Sequence, residues 1–398
     1  MSKCTGADRP SNRRRIAFVI NSIGYGGAER ALANILEAGL SKRPDWDIHL
    51  VILDDMAHRR QMPAGIVVHT LDARERTGRS IRVLRTCLAE LRPNLVVSFL
   101  VRANVASACA GRLLGIPVIV CERMHLTSHF RLKYRGWRHL AARVAPRLCY
   151  RLATRILGVS EGVSEDLALN FGVDRSKLAT INNPYDIAAI RRDGEKEPEF
   201  ALPDRFIVAA GRLELGKNFA GLIRAFAASR IGGQLVIVGE GGQRSELQRL
   251  VTDLNLTDRV ILPGYASNPF AIIARAKFFV SSSLNEGFPN ALVEAMVLGK
   301  PIVATDCPSG PAEILRGAAP TAAGEVALAE YGMLVRPQDD AALAHAIDLM
   351  AANPMLERYR QKSIQRAGDF AAPIISGQYW RLFDGVAAGS GRDRASQP

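Results

Sequence analysis

The segment Ser281–Thr305 has the sequence SSSLNEGFPNALVEAMVLGKPIVAT, in which helix signals are followed by those of a buried strand. Pro289 suits the first position of a helix because proline has no backbone N–H to leave unpaired there, and Gly299 suits the position just past a helix. The β-branched run that begins at Ile302 predicts a strand. We therefore expect a helix over Pro289–Leu298 inside a strand–helix–strand unit.

The same alternation of strand and helix patterns continues along most of the chain. The first half predicts strands at Ile16–Ile20, Ile48–Leu53, Leu95–Phe99, Val118–Cys121 and Arg155–Val159, and helices at Ala28–Leu40, Ser80–Leu91 and Ala103–Leu114. After residue 204 the predicted strands are Phe206–Ala210, Leu235–Val238, Val260–Leu262, Phe278–Val280 and Ile302–Thr305. Strict alternation is typical of parallel sheets with helices on both faces.

The chain has 398 residues, more than one hydrophobic core usually serves. The sequence therefore predicts an α/β protein with two doubly wound, Rossmann-like domains. Ligands of such domains bind at the carboxyl ends of the strands. We expect the functional residues in the strand-to-helix loops, with the two domains facing each other across a cleft.

Domain boundaries follow from composition. A charged stretch without periodicity, Arg191–Glu199, comes after Asn183 and Pro184 and indicates an interdomain linker. The predicted division is a disordered tail over 1–14, an N-terminal domain over 15–183, a linker over 184–203, a C-terminal domain over 204–373, a helix over 374–386 that is expected to pack back on the N-terminal domain, and a disordered tail over 387–398.

Hydropathy and cysteine spacing predict a cytoplasmic protein. Every apolar stretch ends before the roughly 18 residues that span a bilayer, and the apolar run at Ile16–Ile20 is too short for a signal peptide. The cysteines are widely spaced without a C-x-x-C pair, which argues against a zinc site, a redox pair or a disulfide framework. We expect reduced thiols at Cys4, Cys87, Cys109, Cys121, Cys149 and Cys307.

Positive charge is concentrated in the first half of the chain. The formal net charge is +13, while residues 189–398 are balanced, and no acidic residue lies between Glu122 and Glu161. A basic surface of this kind fits an anionic membrane, an acceptor phosphate or nucleic acid. Because only 6% of the residues are aromatic and no nucleic-acid-binding motif is present, we expect no nucleic-acid partner.

A glycine-rich loop follows the first predicted strand, with Gly24, Gly26 and Gly27 ahead of a helix. Glycines at a helix start let backbone N–H groups approach a diphosphate. The dinucleotide fingerprint G-x-G-x-x-G is not met, because Arg30 stands where the third glycine would be. The alternative is a tight turn that needs positive φ angles.

Two cations, Arg212 and Lys217, follow the first strand of the second half. Basic side chains at a strand end can neutralise a diphosphate leaving group as its charge develops. The alternative for such residues is a solvated surface loop.

Two glutamates flank the start of the predicted Pro289–Leu298 helix. Glu286 precedes it and can accept hydrogen bonds from sugar hydroxyls, while Glu294 lies inside it and can bind a ribose diol. Between them, the backbone N–H groups of Asn290–Val293 are expected to meet phosphates. The alternative is a solvated loop residue and a charge on a helix face.

These residues resemble the retaining family 4 glycosyltransferases, which have the GT-B fold. Glu286 to Glu294 resembles the family's E-x7-E signature, and Gly299–Thr305 continues it. Further matches in order are Gly26–Arg30 to the first glycine loop, Asn182–Pro184 to the crossover, Arg212 and Lys217 to the diphosphate-binding pair, and Tyr331–Pro337 with Asp339 to the closing motif.

The resemblance implies a nucleotide-sugar site in the C-terminal domain. Glu286 would face the donor sugar, Glu294 the ribose, and Arg212 with Lys217 the leaving diphosphate, with the nucleobase near Gly264. The implied donor-binding residues are Gly26, Gly27, Arg212, Lys217, Gly264, Glu286, Phe288, Pro289, Asn290, Ala291, Leu292 and Glu294. It implies no cofactor and no metal, and Asp54 with Asp55 is expected only to end a strand.

The resemblance also bears on the acceptor, which the N-terminal domain would bind. His125 is the candidate catalytic residue there, with a surface histidine as the alternative, and Glu122-Arg123 resembles bacterial members that extend lipid-linked oligosaccharides. The implied acceptor or membrane residues are Arg123, Arg131, Lys133, Arg135, Arg138, Arg143, Arg147 and Arg151.

The implied activity is transfer of a hexose or N-acetylhexosamine, with retention, from a UDP sugar to a polyprenyl-diphosphate-linked glycan of a bacterial surface polysaccharide or glycoconjugate. The catalytic residues would be Glu286, Lys217, Arg212 and His125, and the protein would lie on the cytoplasmic face of the inner membrane. The alternative is a non-catalytic, nucleotide-sugar-binding or scaffold subunit of a polysaccharide assembly complex.

Overall fold

The structure, a computed structural model, describes residues 13–24, 26–56, 62–318 and 321–395. Two compact units divide the chain. The first runs to Pro184 and takes in the chain again from Ala372, and the second is Tyr185–Ala371.

The first unit is a doubly wound sheet of parallel strands in the order β3-β2-β1-β4-β5-β6-β7. Its strands are β1 Arg14–Ile20, β2 Trp46–Ile52, β3 Val67–Thr70, β4 Leu95–Phe99, β5 Val118–Glu122, β6 Arg155–Gly158 and β7 Leu178–Thr180. Its helices before residue 184 are α1 Gly27–Lys42, α2 Thr77–Leu91, α3 Val101–Leu114, α4 Leu126–Lys133, α5 Arg138–Cys149 and α6 Glu161–Phe171.

The second unit repeats this architecture, with the strand order β10-β9-β8-β11-β12-β14-β13, in which only the β13–β14 pair is antiparallel. Its elements are α7 Ile187–Glu195, β8 Phe206–Ala210, α8 Phe219–Ala228, β9 Gln234–Val238, α9 Arg244–Asp253, β10 Val260–Gly264, α10 Pro269–Arg275, β11 Phe279–Ser281, α11 Asn290–Val297, β12 Ile302–Thr305, α12 Pro311–Leu315, β13 Ala327–Leu328, β14 Met333–Val335, α13 Asp340–Ala351 and α14 Asn353–Gly368. The predicted fold class of two doubly wound α/β domains is confirmed.

The last helix, α15 Ala372–Ala395, belongs to the first unit and packs on α1. Trp380 donates its indole N–H to the Ile35 carbonyl at 3.1 Å, and a Cβ on Gly39 would lie 2.0 Å from the indole ring. The glycine thus makes room for the tryptophan. The disordered tail that we expected over 387–398 is wrong for residues 387–395, because α15 continues to Ala395.

The expected linker over 184–203 is also wrong in part, because it contains α7. Asp186 caps this helix by accepting from the Ala189 N–H at 2.9 Å. Ile190 is buried, and a Cβ on Gly194 would lie 2.6 Å from a Leu298 methyl group, so α7 packs closely within the second unit. Only Ile190 and Gly194 of this helix are buried, and the charged residues around them suggested a linker.

Two smaller corrections concern ends. Helix α11 spans Asn290–Val297, with Pro289 at the position before the helix, so each end lies one residue inside the predicted Pro289–Leu298. The tail expected over 1–14 ends in strand β1, which starts at Arg14, and its first 12 residues lie outside the described part of the chain.

Among the described residues, no helix has the length and apolar character needed to cross a bilayer.

Candidate active site

The centre of the candidate site is an ion pair between Lys217 and Glu286 in the second unit. The Lys217 Nζ and the Glu286 Oε1 are 2.5 Å apart, and Ser283 Oγ donates to the same oxygen at 2.7 Å. Lys217 ends a single 3₁₀ turn that follows β8, and Glu286 lies in the loop after β11. The side chains are 28% and 11% exposed, respectively, so the pair is largely covered but reachable.

Hydrogen bonds between the two loops hold this pair in place. Ser282 Oγ donates to the Lys217 carbonyl at 2.8 Å, and the Leu284 N–H donates to the Gly216 carbonyl at 2.8 Å. Thr305, at the end of β12, donates to the Ser283 carbonyl at 2.6 Å. Sequence reasoning gave no role to these hydroxyls, although three consecutive serines after a buried strand were a visible signal.

Ser309 was also not predicted as a site residue, and it holds the backbone of Glu286 through a hydrogen bond. Its Oγ donates to the Glu286 carbonyl at 2.6 Å, and Ser309 is 4% exposed. The next residue, Gly310, has φ of +97°, and a Cβ there would lie 2.5 Å from Pro289 Cδ. Only glycine fits this position, where the loop passes against the start of α11.

The loop after β8 depends on another close backbone approach. Gly239 has φ of +146°, and a Cβ on it would lie 1.9 Å from the Gly211 carbonyl oxygen. Gly264, at the end of β10, accepts from the Gly239 N–H at 2.9 Å and so ties the neighbouring strand to this edge. The predicted donor residues Gly264, Lys217 and Glu286 thus all lie in loops or strand ends at the carboxyl edge of one sheet.

The start of α11 differs from the expectation of four open amides. The N–H groups of Leu292 and Val293 already donate to the Pro289 carbonyl, at 3.1 and 3.3 Å. Asn290 is the first residue of the helix, and its Oδ1 accepts from the Tyr185 hydroxyl at 2.6 Å. Tyr185 was not predicted to take part.

Three predicted donor residues have buried side chains. Leu292 is fully buried, and Phe288 is 5% exposed and packs edge-on against Phe370 with ring centroids 5.3 Å apart. Glu294 is 5% exposed, so the alternative of a solvated charge on a helix face is wrong.

Arg212 is not brought to the Lys217–Glu286 pair. Its guanidinium binds Glu214 Oε1 at 2.7 Å, and its side chain is 76% exposed. Exposed ion pairs of this kind contribute at most about 1 kcal/mol, so the side chain can reorient toward a ligand at little cost.

In the first unit, the glycine loop does not need positive φ angles. Gly26 precedes α1 with φ of −74°, and its carbonyl accepts from the Arg30 N–H at 3.2 Å. Neither Gly26 nor Gly27 is among the residues with positive φ. The alternative of a turn that requires left-handed glycines is therefore wrong.

His125 caps helix α4. Its Nδ1 accepts from the Ser128 N–H at 3.3 Å, and its Nε2 lies 3.8 Å from Asp166 Oδ1. Accepting at Nδ1 places the ring proton on Nε2. The side chain is 14% exposed, and burial lowers its pKa, an effect that the Asp166 charge opposes. The ring is mostly covered and has a structural task, so it is not a simple surface histidine.

Glu122 and Arg123 are core residues. Glu122 is fully buried, accepts from the Tyr150 hydroxyl at 2.7 Å and from the Arg123 N–H at 2.8 Å, and burial raises its pKa to about 7. The Arg123 guanidinium donates to the Tyr379 hydroxyl at 2.6 Å and lies over the Phe99 ring. Because Arg123 is only 7% exposed, including it in a basic surface was wrong.

The rest of the predicted basic surface is exposed, at Arg131, Lys133, Arg135, Arg138, Arg147 and Arg151. Arg143 is partly covered, donating to the Asn170 carbonyl at 3.2 Å. Helix α5 buries only Pro146 and exposes Leu140, Val144 and Leu148 at four-residue intervals. Sequence reasoning missed this apolar stripe because it counted only the charges.

Family models match both units of the chain. The "Glycosyl transferases group 1" model covers residues 191–368, and the "Glycosyl transferase 4-like domain" model covers residues 26–184. A curated Campylobacter jejuni protein, N-acetylgalactosamine-N,N'-diacetylbacillosaminyl-diphospho-undecaprenol 4-alpha-N-acetylgalactosaminyltransferase, is 31% identical over 369 residues, which cover 90% of this chain and 96% of that protein. The chain is a family 4 glycosyltransferase. A second relative of this family 4 glycosyltransferase is the Escherichia coli lipopolysaccharide 1,6-galactosyltransferase, 24% identical over 76% of this chain and 82% of that protein.

Solved structures show the GT-B fold of this family 4 glycosyltransferase. The Anabaena protein HepE in complex with UDP matches with a TM-score of 0.71 and 22% identity, covering 93% of this chain and 100% of HepE. The lipopolysaccharide outer core galactosyltransferase WaaB matches with a TM-score of 0.69 and 20% identity, covering 93% of this chain and 99% of WaaB.

Proposed function

We propose that this family 4 glycosyltransferase transfers a hexose or an N-acetylhexosamine, with retention of configuration, from a UDP sugar to a polyprenyl-diphosphate-linked glycan. The observation that carries the proposal is the largely covered Lys217–Glu286 pair at the carboxyl edge of the second sheet. A cation and a carboxylate in contact can separate to serve the two ends of one ligand, a diphosphate and a sugar.

In the proposed donor complex, Lys217 binds the diphosphate and Glu286 accepts from sugar hydroxyls. Arg212 leaves its exposed pair with Glu214 and adds a second positive charge. The outer amides of α11 face the phosphates, and Glu294 binds the ribose. The side-chain cations and the helix terminus then stabilise the leaving diphosphate without a metal.

The proposed chemistry is a same-face displacement. The bond from the anomeric carbon to the diphosphate oxygen breaks, and the bond to the acceptor oxygen forms on the same face of the sugar. The leaving phosphate takes the proton of the acceptor hydroxyl, so no side chain has to act as the general base. Lys217 contributes most in the transition state, where the negative charge on the leaving group is greatest.

Two relatives support a lipid-linked acceptor. Two Campylobacter jejuni proteins that match this chain carry undecaprenol in their names, one at 31% identity over 90% of this chain and one at 26% identity over 92% of it. The names describe saccharides joined to this lipid through a diphosphate. If this chain uses an acceptor of that kind, it has to work at a membrane surface. Helix α5 of this chain has the composition that such a surface requires, with exposed arginines beside exposed Leu140, Val144 and Leu148.

In this proposal α5 lies on the cytoplasmic face of the inner membrane. Arginines near an anionic surface contribute about 1 kcal/mol each, and the leucine and valine side chains enter the interface between headgroups and acyl chains. Trp137, which precedes α5 and is 75% exposed, suits the same interface.

The donor and the stereochemistry are tested together. The purified enzyme is incubated with a panel of UDP and GDP sugars and a polyprenyl-diphosphate-linked acceptor, and the anomeric configuration of the product is read by NMR. We expect transfer from a UDP hexose or UDP N-acetylhexosamine with an α-linkage from an α-donor. An inverted product, or transfer from GDP sugars alone, would contradict the proposal.

The membrane surface has its own test. The double variant Leu140→Ser, Leu148→Ser and the charge reversal Arg147→Glu, Arg151→Glu should each weaken binding to anionic liposomes by about tenfold or more. Leu169→Ser is a matched control, because Leu169 is 69% exposed on α6 in the same unit. Equal retention of all variants on the liposomes would exclude α5 as the membrane surface.

A further inference from the structure

Two cysteines that are far apart in sequence meet between helices α3 and α5. Cys109 Sγ donates to Cys149 Sγ at 3.5 Å, across 40 positions of the chain, and both residues are half-buried. The spacing of the cysteines had argued against a redox pair, yet the fold brings these two sulfur atoms into contact. The expectation of a reduced thiol at Cys87 is wrong, because Cys87 is disulfide-bonded in the structure.

We propose that Cys109 and Cys149 are a redox-modifiable dithiol, whose oxidation to a disulfide fastens the basic helix α5 to α3. The two sulfur atoms have to approach from 3.5 Å to the roughly 2.05 Å of a disulfide. This needs a shift of about 1.5 Å, which is within the range of small helix movements. The proposal does not depend on the identity of the sugar donor.

Helix α5 has few buried residues, so a disulfide at its end would change how easily the helix opens. Pro146 is the only buried residue of this helix, and the next buried residue along the chain is Tyr150, directly after the end of the helix. A helix with so few buried contacts opens locally more easily than the core. A covalent bond at Cys149, its last residue, would remove much of that freedom.

The reaction is a thiol–disulfide exchange with a low-molecular-weight disulfide as the oxidant. The Cys149 sulfur attacks one sulfur of the oxidant, forms a mixed disulfide and releases one thiol. The Cys109 sulfur then displaces the second thiol and closes the protein disulfide. In sum, two protein thiols are oxidised, and one small disulfide is reduced to two thiols.

The position and the hydrogen bond of Cys109 indicate which of the two steps this cysteine carries out. Burial and the contact with Cys149 raise the pKa of the Cys109 thiol to about 12, so this sulfur keeps its proton at neutral pH. The thiolate is the attacking species, so Cys109 is a poor first nucleophile and is assigned to the closing step. The closing step by Cys109 is expected to be slow, and the reaction should be followed over hours.

The full chain provides internal references for the test. Cys121 and Cys307 are both buried, and burial raises the pKa of each thiol, to about 12 for Cys121. Neither should react with a small disulfide under native conditions. The reduced protein is treated with glutathione disulfide, alkylated under denaturing conditions, digested and mapped by mass spectrometry.

Apart from any link formed by Cys87, which is disulfide-bonded in the structure, we expect one linked peptide pair that contains Cys109 and Cys149. It should be about 2 Da lighter than the two thiol peptides, because two hydrogens are lost, and reversible with dithiothreitol. The Cys109→Ser variant should stop at a glutathione adduct on Cys149. An adduct on the unaltered protein that never closes, or two thiols that stay fully alkylatable, would overturn the dithiol proposal.

A second experiment tests whether the disulfide reduces local opening of α5. Trypsin cleavage after Arg147 should be slower by about tenfold in the oxidised protein, because local opening of α5 exposes that site. Oxidant-treated Cys109→Ser controls for the glutathione adduct and should be cut at the unmodified rate. Equal cleavage of the oxidised and reduced protein would overturn the mechanical part of the proposal.

Discussion

The sharpest consequence of the Lys217–Glu286 contact is the effect of Lys217→Ala on turnover. A cation about 4 Å from a phosphate charge contributes about 4 kcal/mol at an effective dielectric constant near 20. The variant also leaves Glu286, which is 11% exposed, facing the diphosphate without the Lys217 charge. We therefore expect kcat to fall by about 10³-fold or more, with a smaller rise in donor KM, because the diphosphate charge grows toward the transition state.

The assay is UDP release under steady-state conditions, with the Tm measured in parallel to separate activity from folding. Arg224→Ala is a matched control, because Arg224 and Asp340 form an ion pair at 2.6 Å on an exposed surface of the same unit. Its kcat should stay unchanged. The charge-conserving Lys217→Arg should fall between the wild type and Lys217→Ala, since arginine keeps the charge but not its placement. A kcat for Lys217→Ala within about threefold of the wild type would refute this reasoning.

Further predictions concern the supports of the site and the stability of the units. Ser309→Ala removes the hydroxyl that donates to the Glu286 carbonyl at 2.6 Å. It should lower kcat by about tenfold while the Tm falls only slightly. An unchanged kcat would contradict the positioning role of Ser309. Trp380→Ala should lower the free energy of unfolding of the first unit by about 3–5 kcal/mol, measured in urea, and a loss under about 1 kcal/mol would mean that α15 does not anchor there. Burial lowers the pKa values of His49 and His69, which are in contact at 2.9 Å, below the ordinary 6.5. The unfolded chain then binds protons first as the pH falls, so the contribution of this pair to the free energy of unfolding is complete above about pH 6.5 and is lost below it. Burial of Glu122, which raises its pKa from 4.5 to about 7, acts in the opposite direction. The readout is therefore the difference in unfolding free energy between the wild type and His69→Gln, which should shrink as the pH falls below 6.5, and a difference that does not change with pH would contradict the prediction.

Much of the fold could be predicted because buried parallel strands are short, apolar and bounded by turn residues. Strand β8 Phe206–Ala210 and strand β12 Ile302–Thr305 have the predicted bounds. Helix α7 was missed for the opposite reason, since its inward face consists of Ile190 and a glycine, and the charges around them suggested a linker. Local composition describes a helix poorly when few of its residues face inward.

The site could be predicted in part, because Glu286, Pro289 and Glu294 follow one another in the segment after β11. Lys217 and Glu286 were expected in one site, and the structure brings them into contact. Ser309 was not predicted as a support, because its contact is with a backbone carbonyl 23 positions away and leaves no mark in the local pattern. Arg212 shows a different limit, since its side chain binds Glu214, two residues away, and not Glu286.

The N-terminal unit shows why charge counts alone are insufficient. Arg123 falls within the basic stretch of the sequence, yet its guanidinium is buried against Phe99 and Tyr379. Conversely, the exposed stripe that includes Leu140 and Leu148 is apolar and was hidden among arginines. Burial separates these two kinds of residue, and it depends on tertiary contacts that a single sequence does not contain.

The most direct test of the central claim is isothermal titration calorimetry with UDP on three proteins: the wild type, Lys217→Ala and the control Arg224→Ala. If Lys217 binds the diphosphate, the wild type and the control should bind UDP equally, and Lys217→Ala should bind at least about tenfold more weakly, which corresponds to about 1.4 kcal/mol. UDP binding by Lys217→Ala with the affinity of the wild type, or no UDP binding by the wild type, would contradict the assignment of the nucleotide-sugar site to the Lys217–Glu286 pair.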